Sequence, residues 1–310
     1  MKIAILRGPR DLRIEDQRLD TDSLEPHEIW VETEITALKI GTDRGNYEGA
    51  EKVPEAPGYP RTVGDSNIGI VGGVGSEVTR FRVGDRVASR ETHQSEYVAD
   101  ERGSIVGVPD GVDSEDAVFA HLYTLSSLCY RKAHFHPGEN VAVIGVGVLG
   151  LGAVALGPPF GATVVAVANS PVRLEMAERM GAHAGYLFDD PDLEAKLDEF
   201  TGGTGIDLVI LTANPWPAYR TAMEIVRPNG RVSVVSLLGR GEDPELPDFN
   251  PFDMKWFYGK GISIIAASRQ AGDLYPTEGG LSPWNRACEH VLSLMAEGKL
   301  EPKRLITHRL

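Results

Sequence analysis

Three glycines near the middle of the chain are spaced to hold a phosphate. Gly145, Gly147 and Gly150 form G-x-G-x-x-G directly after the apolar, β-branched run Val141–Ile144, and a run of small apolar residues, Leu151 to Leu156, follows. The first glycine makes a tight turn, the second lets a pyrophosphate approach the backbone, and the third lets the new helix pack close to the strand. Backbone N–H groups at Val148, Leu149 and Gly150 then open the helix and can donate to the phosphates. Such a glycine turn is weak evidence alone; the strand before it, the helix after it and a second strand over Thr163–Ala168 give it the context of a βαβ nucleotide unit.

The end of that second strand bears on which dinucleotide is held. NAD sites carry a carboxylate about 20 residues beyond the glycines, bonded to the ribose hydroxyls. Here the sequence runs Val167-Ala-Asn-Ser-Pro-Val-Arg173, and no carboxylate appears before Glu175. Asn169 and Ser170 can donate hydrogen bonds, and Arg173 can pair with a 2′-phosphate. Missing the acid at Ala168, the site favours NADP(H) over NAD(H).

The elements that position these residues fall into two blocks. Up to about Gly111 the signals are β-type, with short apolar runs at Ile29–Ile35, Ile68–Val71, Arg86–Ala88 and Ser104–Val108 broken by Gly, Pro and Asp. Val74–Val78 and Phe81–Val87 read as two strands around a tight corner, and helical periodicity is almost absent before Ser114. This block predicts a small barrel-like β domain. From Ser114 the pattern changes to alternating helices and strands: a helix to Ala133, the glycine unit, a helix from Pro171 capped by Ser170, a strand at Ile206–Thr212, a helix at Trp216–Val226 closed by a Pro228-Asn-Gly turn, then strands at Arg231–Leu237 and Gly261–Ala267. That alternation predicts a doubly wound parallel sheet. Gly239–Asn250 reads as a mobile surface loop.

Composition narrows the class. A chain of 310 residues with 42% hydrophobic and 25% charged residues is long enough for two cores. A formal charge of −14 argues against nonspecific binding to nucleic acid or an anionic membrane. The two cysteines, Cys129 and Cys288, form neither a disulfide framework nor a zinc cluster and read as core residues. No apolar run reaches transmembrane length, and the N-terminus reads as a first strand, so a cytoplasmic location is expected.

Four further stretches carry a resemblance. Lys39-Ile-Gly-Thr-Asp43 resembles Cys-Gly-Thr-Asp, Gly64-Asp-Ser-Asn-Ile-Gly69 resembles Gly-His-Glu-x-x-Gly, Val83-Gly-Asp-Arg-Val87 is close to a barrel-strand motif, and Arg173–Ala182 resembles a helix following a second sheet strand. In this order they resemble the medium-chain dehydrogenase/reductase superfamily over nearly the whole chain. Gly58-Tyr-Pro60 and Leu305-Ile-Thr-His-Arg309 resemble its short branch that includes bacteriochlorophyllide hydroxyethyl dehydrogenases; chains of that branch usually run on past the Thr-His-Arg, where this sequence stops at Leu310. The resemblance implies a GroES-like β-barrel catalytic domain over 1–120, a Rossmann NADP(H)-binding domain over 121–268, and a segment 269–310 returning to the first domain. A homo-oligomer, dimer or tetramer, and a small-molecule substrate are expected, with loops Gly45–Tyr59 and Arg269–Pro283 deciding which one.

The same resemblance places the site residues and shows where the pattern breaks. The family's zinc enzymes bind catalytic metal through Cys, His and an acidic residue. At these positions the chain has Ile40, Asp65 and Ser66, and the third-ligand column falls on His121. Catalytic zinc needs about three N, S or carboxylate donors, Ile40 offers none, and no four-Cys lobe follows the Val-Gly-Asp-Arg-Val strand; zinc is therefore not expected. Thr42 takes the place of the proton-relay hydroxyl and Thr124 stands beside the nicotinamide. Asp65 and His121 line the same pocket, where a carboxylate can orient an imidazole as proton donor; each also has a plain structural reading. Lys39, Asp43 and Tyr59 read as surface or barrel residues.

These readings favour a zinc-independent NADP(H) oxidoreductase acting on a carbonyl/alcohol pair or an activated alkene. The alternatives are a zinc-dependent alcohol or polyol dehydrogenase and a nucleotide-binding protein that has lost catalysis, because fold alone does not prove activity.

Overall fold

The first third of the chain folds into two antiparallel sheets. Its elements are β1 (Lys2–Gly8), β2 (Asp11–Asp16), β3 (Glu28–Thr36), α1 (Ile40–Glu48), β4 (Arg61–Thr62), β5 (Asn67–Val74), β6 (Arg86–Ser89), β7 (Glu96–Asp100) and β8 (Ile105–Gly107). The strands assemble as β2-β1-β4 and β7-β3-β5-β6-β8. Alternate residues of the larger sheet (Ile29, Val31, Val71, Val87, Tyr97 and Ile105) close with Phe81 over one apolar core. Register shifts in the β3–β5 pairing at Trp30/Val31 and Thr33/Ile35 bend the pair and help the sheet curl. The computed structural model describes residues 1–49, 58–236, 249–269 and 281–310. Residues 239–248 of the expected mobile loop Gly239–Asn250 and parts of both expected substrate loops fall outside them.

The remaining elements are α2 (Ser114–Ala117), α3 (Ala120–Lys132), β9 (Asn140–Ile144), α4 (Val148–Phe160), β10 (Thr163–Ala168), α5 (Pro171–Arg179), β11 (Ala184–Leu187), α6 (Leu193–Phe200), β12 (Ile206–Leu211), α7 (Trp216–Ile225), β13 (Val226–Val234), β14 (Ser263–Ala266) and α8 (Pro283–Ala296). Strands β9 to β14 form a parallel sheet in the order β11-β10-β9-β12-β13-β14. Counted from β9 this is 3-2-1-4-5-6, the doubly wound order whose crevice lies at the carboxyl end of the first strand. Val141–Val143, Val164–Val167 and Leu208–Leu211 are wholly buried, which explains their near-continuous β-branched and leucine runs.

By compactness, Met1–Thr124 forms one unit with the described residues 281–310, and the described residues of Leu125–Arg269 form a second. Helix α3 begins in the first unit and ends in the second. Among the described residues no helix is long and apolar enough to cross a membrane.

Three local expectations fail for identifiable reasons. Helix α1 was hidden because none of its residues is buried, so it carries no apolar stripe. The strand expected at Val74–Val78 ends at Val74, since Gly75 N–H and Glu77 N–H bond to Glu28 O and Pro26 O and turn the chain away. Its expected partner at Phe81–Val87 begins only at Arg86, because the Asp85 carboxylate accepts from Arg82 N–H at 2.8 Å and closes a turn.

Candidate functional site

The second unit carries the glycine turn expected to cradle a nucleotide. Gly145 has φ +90°, a left-handed turn that suits glycine. A Cβ on Gly150 would stand 1.9 Å from Gly145 O, so the first turn of α4 sits hard against the strand end. Gly147 is exposed, and a Cβ there would meet nothing within 4 Å, leaving open backbone at the helix N-terminus. Thr212 locks the turn from the adjoining strand end by donating Oγ1–H to Gly145 O at 2.5 Å. Behind α4, Ser126 donates to Leu149 O at 2.8 Å and Tyr130 to Ala153 O at 2.7 Å. The loop is thus fixed from two sides, with the N–H groups of Val148, Leu149 and Gly150 at the start of α4.

Ala168 ends β10 buried, next to exposed Asn169 and to Ser170, the N-cap of α5 with Pro171 at N1. Arg173 is exposed one turn on, with Nη1 3.5 Å from Asn169 Oδ1. The strand terminus thus presents an amide and a guanidinium in place of a carboxylate.

The first unit carries an ion cluster. Leu38 and Ile40 are 61% and 68% exposed, whereas Lys39 between them is only 8% exposed. This inverts the usual preference for apolar residues inside and cations outside. Lys39 Nζ is in ion-pair contact with Asp65 Oδ1 and donates to Ser66 Oγ at 3.3 Å. Arg90 Nη2 reaches the other oxygen of the same carboxylate at 3.4 Å, and its guanidinium lies 5.8 Å from the centre of the Trp284 ring. Lys39 N–H donates to Asp43 Oδ2 at 2.6 Å, folding the first turn of α1 back over the cluster. Burial lowers the Lys39 pKa to about 8; Asp43 opposes the shift and Arg90 adds to it. The Asp65 carboxylate in contact favours the charged form, so Lys39 is an ammonium at neutral pH. His93 faces the same charges. Burial, aided by Lys39 and opposed by Asp43, lowers its pKa and keeps the ring neutral, and its buried Nε2 finds no hydrogen-bond partner among the described residues.

The two residues of the expected dyad, Asp65 and His121, have the following partners among the described residues. Asp65 belongs to Lys39 and Arg90. His121 is 4% exposed, accepts from Trp284 Nε1–H at its Nδ1 (3.0 Å), and places Nε2 3.2 Å from Ala88 O. These partners assign the neutral Nε2–H tautomer. Thr42 lies half-buried in α1, three residues past Lys39, while Thr124 is buried and donates to Ala120 O at 2.8 Å. Cys129 and Cys288 are both buried free thiols.

Sequence reading set Lys39 aside as a surface or barrel residue and did not single out Arg90 or His93. A signal was available for Lys39, a lone cation in the apolar run Ile35-Thr-Ala-Leu-Lys-Ile40. Arg90 and His93 left none, because Ser89-Arg-Glu-Thr-His-Gln94 has the composition of an ordinary turn.

Comparison with known proteins agrees with this division. Residues 25–126 match the family model for the alcohol dehydrogenase GroES-like domain, and residues 148–278 match that for zinc-binding dehydrogenases. The chain is 24% identical to sorbitol dehydrogenase of Bacillus subtilis over 307 residues, covering 86% of each protein. To the NADP-dependent isopropanol dehydrogenase of Thermoanaerobacter brockii it is 29% identical over 283 residues, 79% of this chain and 76% of the relative. Among solved structures, galactitol-1-phosphate dehydrogenase from Escherichia coli superimposes with a TM-score of 0.83 at 21% identity, covering 100% of this chain and 92% of that one.

Proposed function

Because the chain belongs to the medium-chain dehydrogenase/reductase superfamily, we propose that it is a zinc-independent, NADP(H)-dependent oxidoreductase acting on a small-molecule carbonyl/alcohol pair or an activated alkene. That it is an NAD(P)-dependent oxidoreductase follows from its relatives, which are dehydrogenases by name. The observation that carries the rest is the Lys39–Asp65–Arg90 cluster, in which Asp65, at one of the positions where the family's metal donors fall, is paired with two cations.

Those residues do not fit a catalytic zinc. A zinc site takes about three N, S or carboxylate donors. Ile40 has no donor atom, Asp65 is paired with two cations, and both ring nitrogens of His121 face Trp284 and Ala88. A metal ion would also have to displace or neutralise the Lys39 ammonium. In this reading His121 supports the fold, and Asp65 holds Lys39.

The nucleotide fits the second unit. The Gly145–Gly150 turn, the start of α4, and the Asn169, Ser170 and Arg173 side chains would hold its phosphates and ribose. When bound, it supplies or accepts the hydride. The preference for NADP(H) rests on the lack of an acid at Ala168 and on exposed Arg173, and the NADP-dependent relative supports it. We also expect self-association: Phe252, Met254 and Tyr258 are 64%, 69% and 77% exposed and give the second unit an apolar surface.

The test combines metal analysis with a screen of aldehydes, ketones, enones and polyols against NADPH and NADH. Turnover with NADPH by zinc-free protein is the expected result. Polyol oxidation that needs about one zinc per chain would replace this reading with that of a zinc-dependent dehydrogenase. Tight NADPH binding without turnover of any substrate would point to a nucleotide-binding protein.

A further inference from the structure

We propose that Thr212 is a positioning residue for the nucleotide: its hydroxyl holds the glycine turn in the shape that receives a pyrophosphate, and so sets the affinity for the dinucleotide as a whole. This rests on the NADP(H) reading above and adds to it a group outside the glycine motif.

The turn has little of its own to hold it. Gly145 leaves β9 at φ +90°, and glycine, with no Cβ, rotates about its backbone bonds more freely than any other residue. Its carbonyl fixes the orientation of the peptide that follows, because the peptide group is planar and rigid. The parallel ladder between β9 and β12 ends at the Ile144–Leu211 pair, and Thr212 N–H extends it by one bond, to Ile144 O at 2.9 Å. Past that point the side chain of Thr212 continues the pairing: Oγ1–H donates to Gly145 O at 2.5 Å, with Ile144 O at 3.3 Å. A Cβ on Gly145 would stand 2.8 Å from the same Oγ1, and one on Gly150 3.0 Å from it. The hydroxyl therefore sits where the first and third glycines of the motif meet. Ser126 and Tyr130 grip the helix, at Leu149 O and Ala153 O; Thr212 grips the turn itself.

Packing does not ask for a hydroxyl at this position. The residues before it, Leu208–Leu211, are wholly buried and aliphatic. Valine has nearly the shape of threonine and suits the end of a central parallel strand. What valine lacks is the donor. With it in place Gly145 O would lose this partner, and a methyl group cannot approach an oxygen as closely as a hydroxyl does. The turn could then take several arrangements instead of one. A site built from backbone N–H groups binds tightly when they are already aimed, because any ordering left until binding is subtracted from the affinity. NADPH and NADH carry the same pyrophosphate, so Thr212 should act on both equally, whereas Arg173 distinguishes between them.

The experiment is titration calorimetry, which needs no substrate, on wild-type protein, Thr212→Val, Thr212→Ala, Thr212→Ser and Arg173→Ala. Thr212→Val and Thr212→Ala are expected to weaken NADPH and NADH by the same factor, about tenfold, so that the ratio of the two affinities stays as in wild type. Thr212→Ser keeps the donor and should bind both nucleotides within about twofold of wild type, a rescue that a need for bulk alone would not give. Arg173→Ala should change the ratio instead. Adenosine 2′-phosphate, which has no pyrophosphate, should bind wild type and Thr212→Val alike. Melting curves without nucleotide show which variants are folded. Wild-type affinity in both donor-less variants, or a loss in Thr212→Ser equal to that in Thr212→Val, overturns the inference and leaves the NADP(H) reading standing. So does failure of both donor-less variants to fold, which would make the hydroxyl a requirement of the fold. Wild-type protein that binds neither nucleotide overturns the reading and the inference with it.

Discussion

The indole of Trp284 stacks parallel to the imidazole of His121, with ring centroids 6.2 Å apart and planes at 5°, and donates Nε1–H to Nδ1. With Ala88 O on the other nitrogen, both polar atoms of a buried histidine are engaged in packing α3 against β6 and α8. His121→Leu should therefore destabilise the protein, by about 1–3 kcal/mol for each buried group left unpaired, while kcat of the folded enzyme stays within a few-fold of wild type. Thermal melts and turnover measured side by side decide this. A hundredfold loss of kcat at unchanged melting temperature would return His121 to the chemistry.

Nucleotide choice is the second prediction. NADPH should bind at least about tenfold tighter than NADH, roughly 1.4 kcal/mol. Arg173→Ala should remove most of that gap, and Ala168→Asp should reverse it by repelling the 2′-phosphate. Titration calorimetry with both nucleotides reads all three, and equal affinities in the wild type would refute the assignment.

The glycine cradle separates folding from binding. Gly150→Ala should disrupt the unit itself, since its Cβ would sit 1.9 Å from a backbone oxygen. Gly147→Ala has room in the free protein but intrudes where phosphates approach, so its melting temperature should hold while NADPH affinity falls. If both variants melt like the wild type, the packing argument is wrong.

Metal dependence provides the fourth. Purified protein should carry no stoichiometric zinc, and chelators should leave turnover unchanged. Supplementing Ile40→Cys with zinc should not raise activity while the Lys39 ammonium persists. Plasma emission spectrometry and assays with and without chelator check this.

The sheet and its cradle were legible in the sequence because burial on both faces leaves an unbroken signature. Val141–Ile144 and Thr163–Ala168 could hardly be anything but central strands, and glycine spacing encodes backbone geometry directly. The cofactor candidates Asn169, Ser170 and Arg173 lie close together in sequence, between β10 and the first turn of α5. The ion cluster does not. Lys39, Asp65 and Arg90 are brought together by β3, β5 and β6, and nothing local in a lysine records that its neighbours will face outward while it turns in. His121 is the opposite case: its position marks it for chemistry, while two of its partners, Ala88 and Trp284, lie 33 and 163 residues away. Helix α1 escaped notice because it buries none of its side chains.

Sharing one carboxylate between two cations also bears on how such a site can change. Were Lys39 lost, Asp65 would still face Arg90, and were Arg90 lost it would still face Lys39, so neither single substitution strands the carboxylate alone. A cluster built this way can be remodelled one residue at a time without passing through an unfolded intermediate. The exposed neighbour at Ile40 could accept a thiol with little effect on packing. On the zinc-independent reading, exchanging the Lys39 charge for that of a metal would be opposed by electrostatics, not by space.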